Sequence, residues 1–196
     1  MVDQQAIDDE QIQDGFVHFE PKSTKISKFV TAIVDKIGSI SSWLWLLTVA
    51  TIISSVVLRY VFNSGLVILE ELTWYFYGAC WLMALSYAFV HDSHVRVTIL
   101  QERFSQATKI WVDLIGSLFL LLPFLLIVFF GSFTFFLDSF IAQEISMAPN
   151  GMPVRWLIKF FIPFSFFLLI LVVLVRVHQC IADLRHIYQK HSKQAI

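Results

Sequence analysis

Arg59 closes one apolar run of the chain, and Glu70 and Glu71 open the next. A guanidinium and two carboxylates at this spacing can do two things. Arg59 can pair with one glutamate and close a helical hairpin, while the glutamates favour the positive end of a helix dipole. Alternatively, the three can face outward and contact a partner. Glu144, Arg155 and Trp156 flank a second turn in the same way and join the candidate contact set. Three histidines, His91, His94 and His178, map to the ends of the second and fourth apolar runs. Two imidazoles on facing helices can ligate a b-type haem, although ligands within a span suit that group better than ligands at its end. The alternative is imidazoles at the lipid headgroup level. Cys80 and Cys180 stand far apart without a CxxC or metal spacing, so both are expected to be inert thiols. Nucleophile motifs, phosphate loops and zinc signatures are absent from the sequence. No enzyme activity, cofactor or metal is expected.

These residues are positioned by an unusually apolar chain. The 196 residues are 57% hydrophobic, 16% aromatic and 15% charged. A soluble domain is about 45–50% apolar and about 25% charged, so lipid is the expected solvent for much of this chain. Net charge is −1, which gives no argument for nucleic acid. Four stretches carry no charged side chain: Ile37–Leu58, Leu72–Val90, Leu114–Leu137 and Phe160–Val175. A hydrocarbon core of about 30 Å needs about 20 helical residues. The first three qualify, and the fourth does so once Trp156–Phe160 is added and Lys159 snorkels to the interface. None alternates with a period of two, so helices are expected. The fold class is an all-α membrane protein with spans at about 38–60, 71–91, 113–137 and 156–177, within a transmembrane domain of residues 38–180.

Lys and Arg placement sets the direction. The segments before the first span, between the second and third, and after the fourth hold eleven of them, against Arg59, Arg155 and Lys159 on the other side. Both termini are therefore expected in the cytoplasm. Trp43, Trp45 and Trp111 fall at the cytoplasmic interface and Trp74 and Trp156 at the outer one, whereas Trp81 lies mid-span and reads as a packing residue. The first span follows an acidic segment and lacks a cleavage pattern, so it does not read as a signal peptide.

Residues 1–21 hold six acidic side chains and no Lys or Arg and read as a solvated, disordered acidic tail. In residues 22–37, Ile26, Phe29, Val30, Ile33 and Ile37 form an apolar stripe, with Lys22, Lys25 and Lys28 largely off it. This pattern predicts an amphipathic helix in the cytoplasmic interface, anchored by those lysines, the alternative being a simple helical extension of the first span. Leu100, Phe104, Ala107 and Trp111 predict a second amphipathic helix linking spans two and three. Residues 181–196 are a basic cytoplasmic tail. Asn63-Ser64-Gly65 and Pro149-Asn150-Gly151-Met152-Pro153 signal the two outer turns, and Pro123 and Pro163 can kink the third and fourth helices. Ala84 and Ala88 form a small-xxx-small pair.

The run Leu58-Arg59-Tyr60-Val61-Phe62-Asn63, then Glu70-Glu71, Gly78 and His94-Val95-Arg96-Val97, resembles the small membrane subunit of TRAP transporters (tripartite ATP-independent periplasmic, DctQ type). Gly151-Met152-Pro153, Arg155-Trp156, Lys159 and Pro163 continue the resemblance, which covers roughly residues 36–180. Thr98 departs from it, standing where the family carries an acidic residue. The resemblance implies a bacterial inner-membrane complex. Its partners are a large multi-span permease subunit, which carries substrate and sodium, and a periplasmic substrate-binding protein, which delivers an organic acid. The small subunit would brace the large one in the lipid bilayer without catalytic residues. Two other classes compete: a haem- or quinone-linked membrane anchor of a redox complex, and an autonomous exporter. The exporter would need an ionisable group deep in a span, and the sequence places none there.

Overall fold

Lys25–Tyr60 forms one unbroken helix of 36 residues, α1, in the computed structural model, which describes residues 25–91 and 106–194. The arm expected over 22–37 and the first span are thus parts of a single helix within the described residues. No proline intervenes, and Gly38, worth about 1 kcal/mol of helix propensity against alanine, occurs where Tyr87 crosses. A Cβ on Gly38 would lie 2.5 Å from Tyr87 Cδ2. Asn63, in the left-handed conformation at φ 49°, terminates the α1 end and leads into the hairpin turn. The second helix, α2, covers Val67–Val90.

The third rod is continuous from Gln106 to Ile141 but changes winding. Helix α3 (Gln106–Ile115) passes into a π-helical turn (Gly116–Leu121) and then α4 (Leu122–Ile141). Pro123 supplies the reason. It has no N–H, and its ring opposes the carbonyl four residues back. The chain widens just before it, and the Leu122 N–H bonds the Ser117 carbonyl five residues back. The linking helix expected around Leu100, Phe104, Ala107 and Trp111 is described only from Gln106, where it is already the start of this rod; Leu100, Phe104 and Thr98 lie outside the described residues. The last helix, α5, runs 40 residues over Arg155–Gln194 and absorbs both Pro163 and most of the expected basic tail.

Among the described residues, three helical rods are long and apolar enough to cross a membrane: Ser27–Tyr60, Thr108–Ile141 and Arg155–Arg185. Helix α2 has the length, but Glu70, Glu71 and its Trp and Tyr residues lower its hydropathy.

Helix α5 is the keel, packing against α1, α2, α3 and α4. The core joins Ile110, Leu114 and Leu125 to Leu169, Ile170, Val173, Val177, Cys180 and Leu184, with Phe89 of α2 at its edge. Serines let α2 and α5 approach closely. Ser86 donates to the Ser165 carbonyl at 3.4 Å, and Ser165, fully buried, donates to the Leu82 carbonyl. Trp81, expected as a packing residue, touches Tyr77 but is 55% exposed in this chain.

Candidate functional site: a carboxylate-clamped corner

The α4–α5 connection is held by hydrogen bonds within its own sequence as well as by α2. Gln143 adopts φ 45° at the end of α4. The Gln143 N–H bonds the Phe140 carbonyl at 3.1 Å, and the Glu144 N–H bonds the Ser139 carbonyl at 3.0 Å. That pair of bonds is a Schellman ending. It turns Glu144 back so that the Ser139 hydroxyl donates to Glu144 Oε2 at 2.6 Å. Asn150, at φ 58°, turns the loop again, and the Ser146 N–H bonds the Met152 carbonyl at 3.0 Å.

Two carboxylates clamp this loop. Glu71, in the first turns of α2, accepts the Ser146 hydroxyl on Oε1 and the Met152 N–H on Oε2 at 2.5 Å. Glu144 accepts the Lys159 ammonium on Oε2 and faces Arg155 Nε at 3.5 Å through Oε1. The Lys159 bond, followed by the Ser139 hydroxyl, holds the Glu144 carboxyl below its ordinary 4.5. Lys159 also lies over the Phe135 ring at 3.9 Å, a cation–π contact. Trp156 packs edge-on against Phe140, with centroids 5.2 Å apart.

The candidate residues therefore divide. Arg59 pairs with Glu70 and closes the α1–α2 hairpin. Glu71, Glu144, Arg155 and Trp156 gather at the loop corner, on the same end of the bundle. Ser139, Ser146, the Met152 amide and the Lys159 pairing complete the corner. The sequence reading did not foresee their part, although the turn signal at Asn150-Gly151 marked the place.

The opposite end carries its own ties. Asp35 Oδ1 meets His91 Nε2 at 2.8 Å. Asp113 Oδ2 accepts from Arg176 Nε and Nη2, both at 2.9 Å. Gln179 donates to the Ser27 hydroxyl at 2.6 Å. Of the expected interfacial anchors, Lys28, Trp43, Trp45 and Trp111 are exposed at this end, Lys25 begins α1, and Lys22 lies outside the described residues. The haem reading gains nothing here: His91 is engaged by Asp35, and His94 lies outside the described residues.

Ionisable side chains gathered at two ends, joined by apolar helices, are what an integral membrane helix bundle requires. Over residues 48–183 the chain matches the family described as tripartite ATP-independent periplasmic transporters, DctQ component. The chain belongs to that family, and so is the small component of a TRAP transporter. Comparison with curated proteins and with solved structures gives no match.

Proposed function

We propose that this chain is the non-catalytic small permease subunit of a sodium-driven, binding-protein-dependent symporter for organic acids. It braces a large multi-span subunit in the bacterial inner membrane, and α2 serves as a fourth span. Both termini face the cytoplasm. The clamped corner and the α1–α2 hairpin face the periplasm and meet the binding protein there. The observation that carries this reading is the family match over residues 48–183. The corner supports the docking part. A loop already held by Glu71 and Glu144 loses little freedom on meeting a partner, which is the advantage of a preorganised contact.

Reconstitution tests both parts. Vesicles holding this chain and the large subunit should take up substrate only with the binding protein and an inward sodium gradient. Uptake by this chain alone would overturn the bracing role. Glu70→Lys should lower uptake several-fold while the two subunits still co-purify, since Glu70 is exposed and bonds only within the hairpin. Unchanged uptake would remove the docking role and leave the bracing role standing.

A further inference from the structure

A cleft of about 490 Å³ opens between α1 and α2 at the end opposite the clamped corner. That volume lies in the range of small-molecule sites. Along the two antiparallel helices the lining runs from Asp35 and His91, past Gly38, Ser39 and Tyr87, to Ser42, Trp45, Cys80 and Ala84. From Asp35 to Trp45 the helix climbs about 15 Å. The charge-free stretch of α1 begins at Ile37, so the Asp35 end of the cleft sits at headgroup level and the Trp45 end reaches toward the acyl chains.

The polar atoms of the cleft are incompletely used. His91 occupies Asp35 Oδ1, and Asp35 Oδ2 has no hydrogen bond among the described residues. Neither do the Ser39 hydroxyl, the Tyr87 hydroxyl and the Trp45 indole N–H. Hydrocarbon tails cannot satisfy such groups, and leaving them bare at membrane depth is costly. Reading inward, the cleft offers a carboxylate oxygen, then hydroxyl donors, then an indole donor, then apolar walls. A zwitterionic phospholipid presents an ammonium, a phosphate, ester carbonyls and acyl chains in the same order.

We infer that this cleft holds one phospholipid with a primary ammonium headgroup. Asp35 Oδ2 accepts from the ammonium. Ser39 and Tyr87 donate to the phosphate or glycerol oxygens, and the first acyl carbons lie over Trp45 and Ala84. A trimethylated headgroup has no N–H to give Asp35, and an anionic glycerol headgroup brings no cation to it. The site rests on the membrane-spanning reading alone and needs no partner subunit.

The test is native mass spectrometry of the purified full chain, exchanged into equal parts of phosphatidylethanolamine, phosphatidylcholine and phosphatidylglycerol. One phosphatidylethanolamine should be retained at least about fivefold over either competitor. Asp35→Asn should abolish that preference. Tyr87→Phe, which leaves the Asp35–His91 pair in place, should weaken retention of the lipid. Circular dichroism confirms that each variant is folded, and a variant that unfolds is replaced by Ser39→Ala. Soluble glycerophosphoethanolamine should not compete, because it lacks the chains that place the headgroup at this depth. Equal retention of the three lipids would overturn the site, as would a preference that survives both substitutions. Loss of the lipid on adding the large subunit, with Trp45 becoming buried, would assign the cleft to protein instead. None of these outcomes bears on family membership.

Discussion

A Cβ at position 151 would lie 2.5 Å from Ser146 Cβ and 2.9 Å from Glu71 Oε2, so only glycine fits beneath the clamp. Gly151→Ala must push the loop off Glu71. It should cost about 1–3 kcal/mol, the range for overpacking, seen as a lowered thermal midpoint in detergent. Glu144 gives the corner a pH dependence. Its carboxyl is held below the ordinary 4.5, chiefly by Lys159. The bound proton is therefore disfavoured in the folded state. Its stabilisation is complete above the ordinary value and is lost as pH falls through the lowered one. Glu144→Gln should be less stable than the native chain at neutral pH, and the gap should close in acid below about pH 4. A gap that stays constant down to pH 3 would show that the Lys159 bond contributes nothing.

Ser165 shows how the helices themselves are held. It is fully buried between α2 and α5, its hydroxyl donates to the Leu82 carbonyl, and its own carbonyl accepts the Ser86 hydroxyl. Hydrogen bonds between membrane helices are worth about 0.6 kcal/mol on average. Ser165→Ala should therefore be mild, whereas Ser165→Leu must wedge the two helices apart and cost about 1–3 kcal/mol. Comparable losses from the two variants would assign the contact to the hydroxyl rather than to its small size. The contrast also marks what could be read beforehand. Charge-free runs located all four helical rods, because burial in lipid imposes a simple rule on composition. The Arg59–Glu70 staple was legible because both partners flank one short turn. The Glu71 clamp was not, since its partners Ser146 and Met152 lie far along the chain and meet it only after α5 packs on α2. The sequence left the join of the arm to α1 as the second of two readings for a different reason. An amphipathic stripe describes which face of a helix is apolar, and says nothing about where the helix bends.

At the scale of the molecule, charge is distributed unevenly between the two ends that the helices define. The end bearing the Arg59–Glu70 and Glu71–Ser146 contacts holds Arg59, Arg155 and Lys159, while all other Lys and Arg residues lie in segments assigned to the opposite end. Translocation across an energised membrane disfavours moving those cations outward. The chain should therefore insert with the clamped corner outside. Engineered thiols can check this directly, because the native ones contribute little background: Cys80 and Cys180 are 1% and 3% exposed. In intact cells, a membrane-impermeant maleimide should label Ser64→Cys and Met147→Cys, both exposed in the α1–α2 and α4–α5 connections. Lys28→Cys, exposed near the start of α1, should react only after the membrane is opened. The reverse pattern would place the corner in the cytoplasm, out of reach of any periplasmic binding protein. Labelling of Ser64→Cys and Met147→Cys on opposite sides would instead show that α2 does not cross. The two turns share an end of this bundle only if the chain crosses the bilayer between each pair of successive connections.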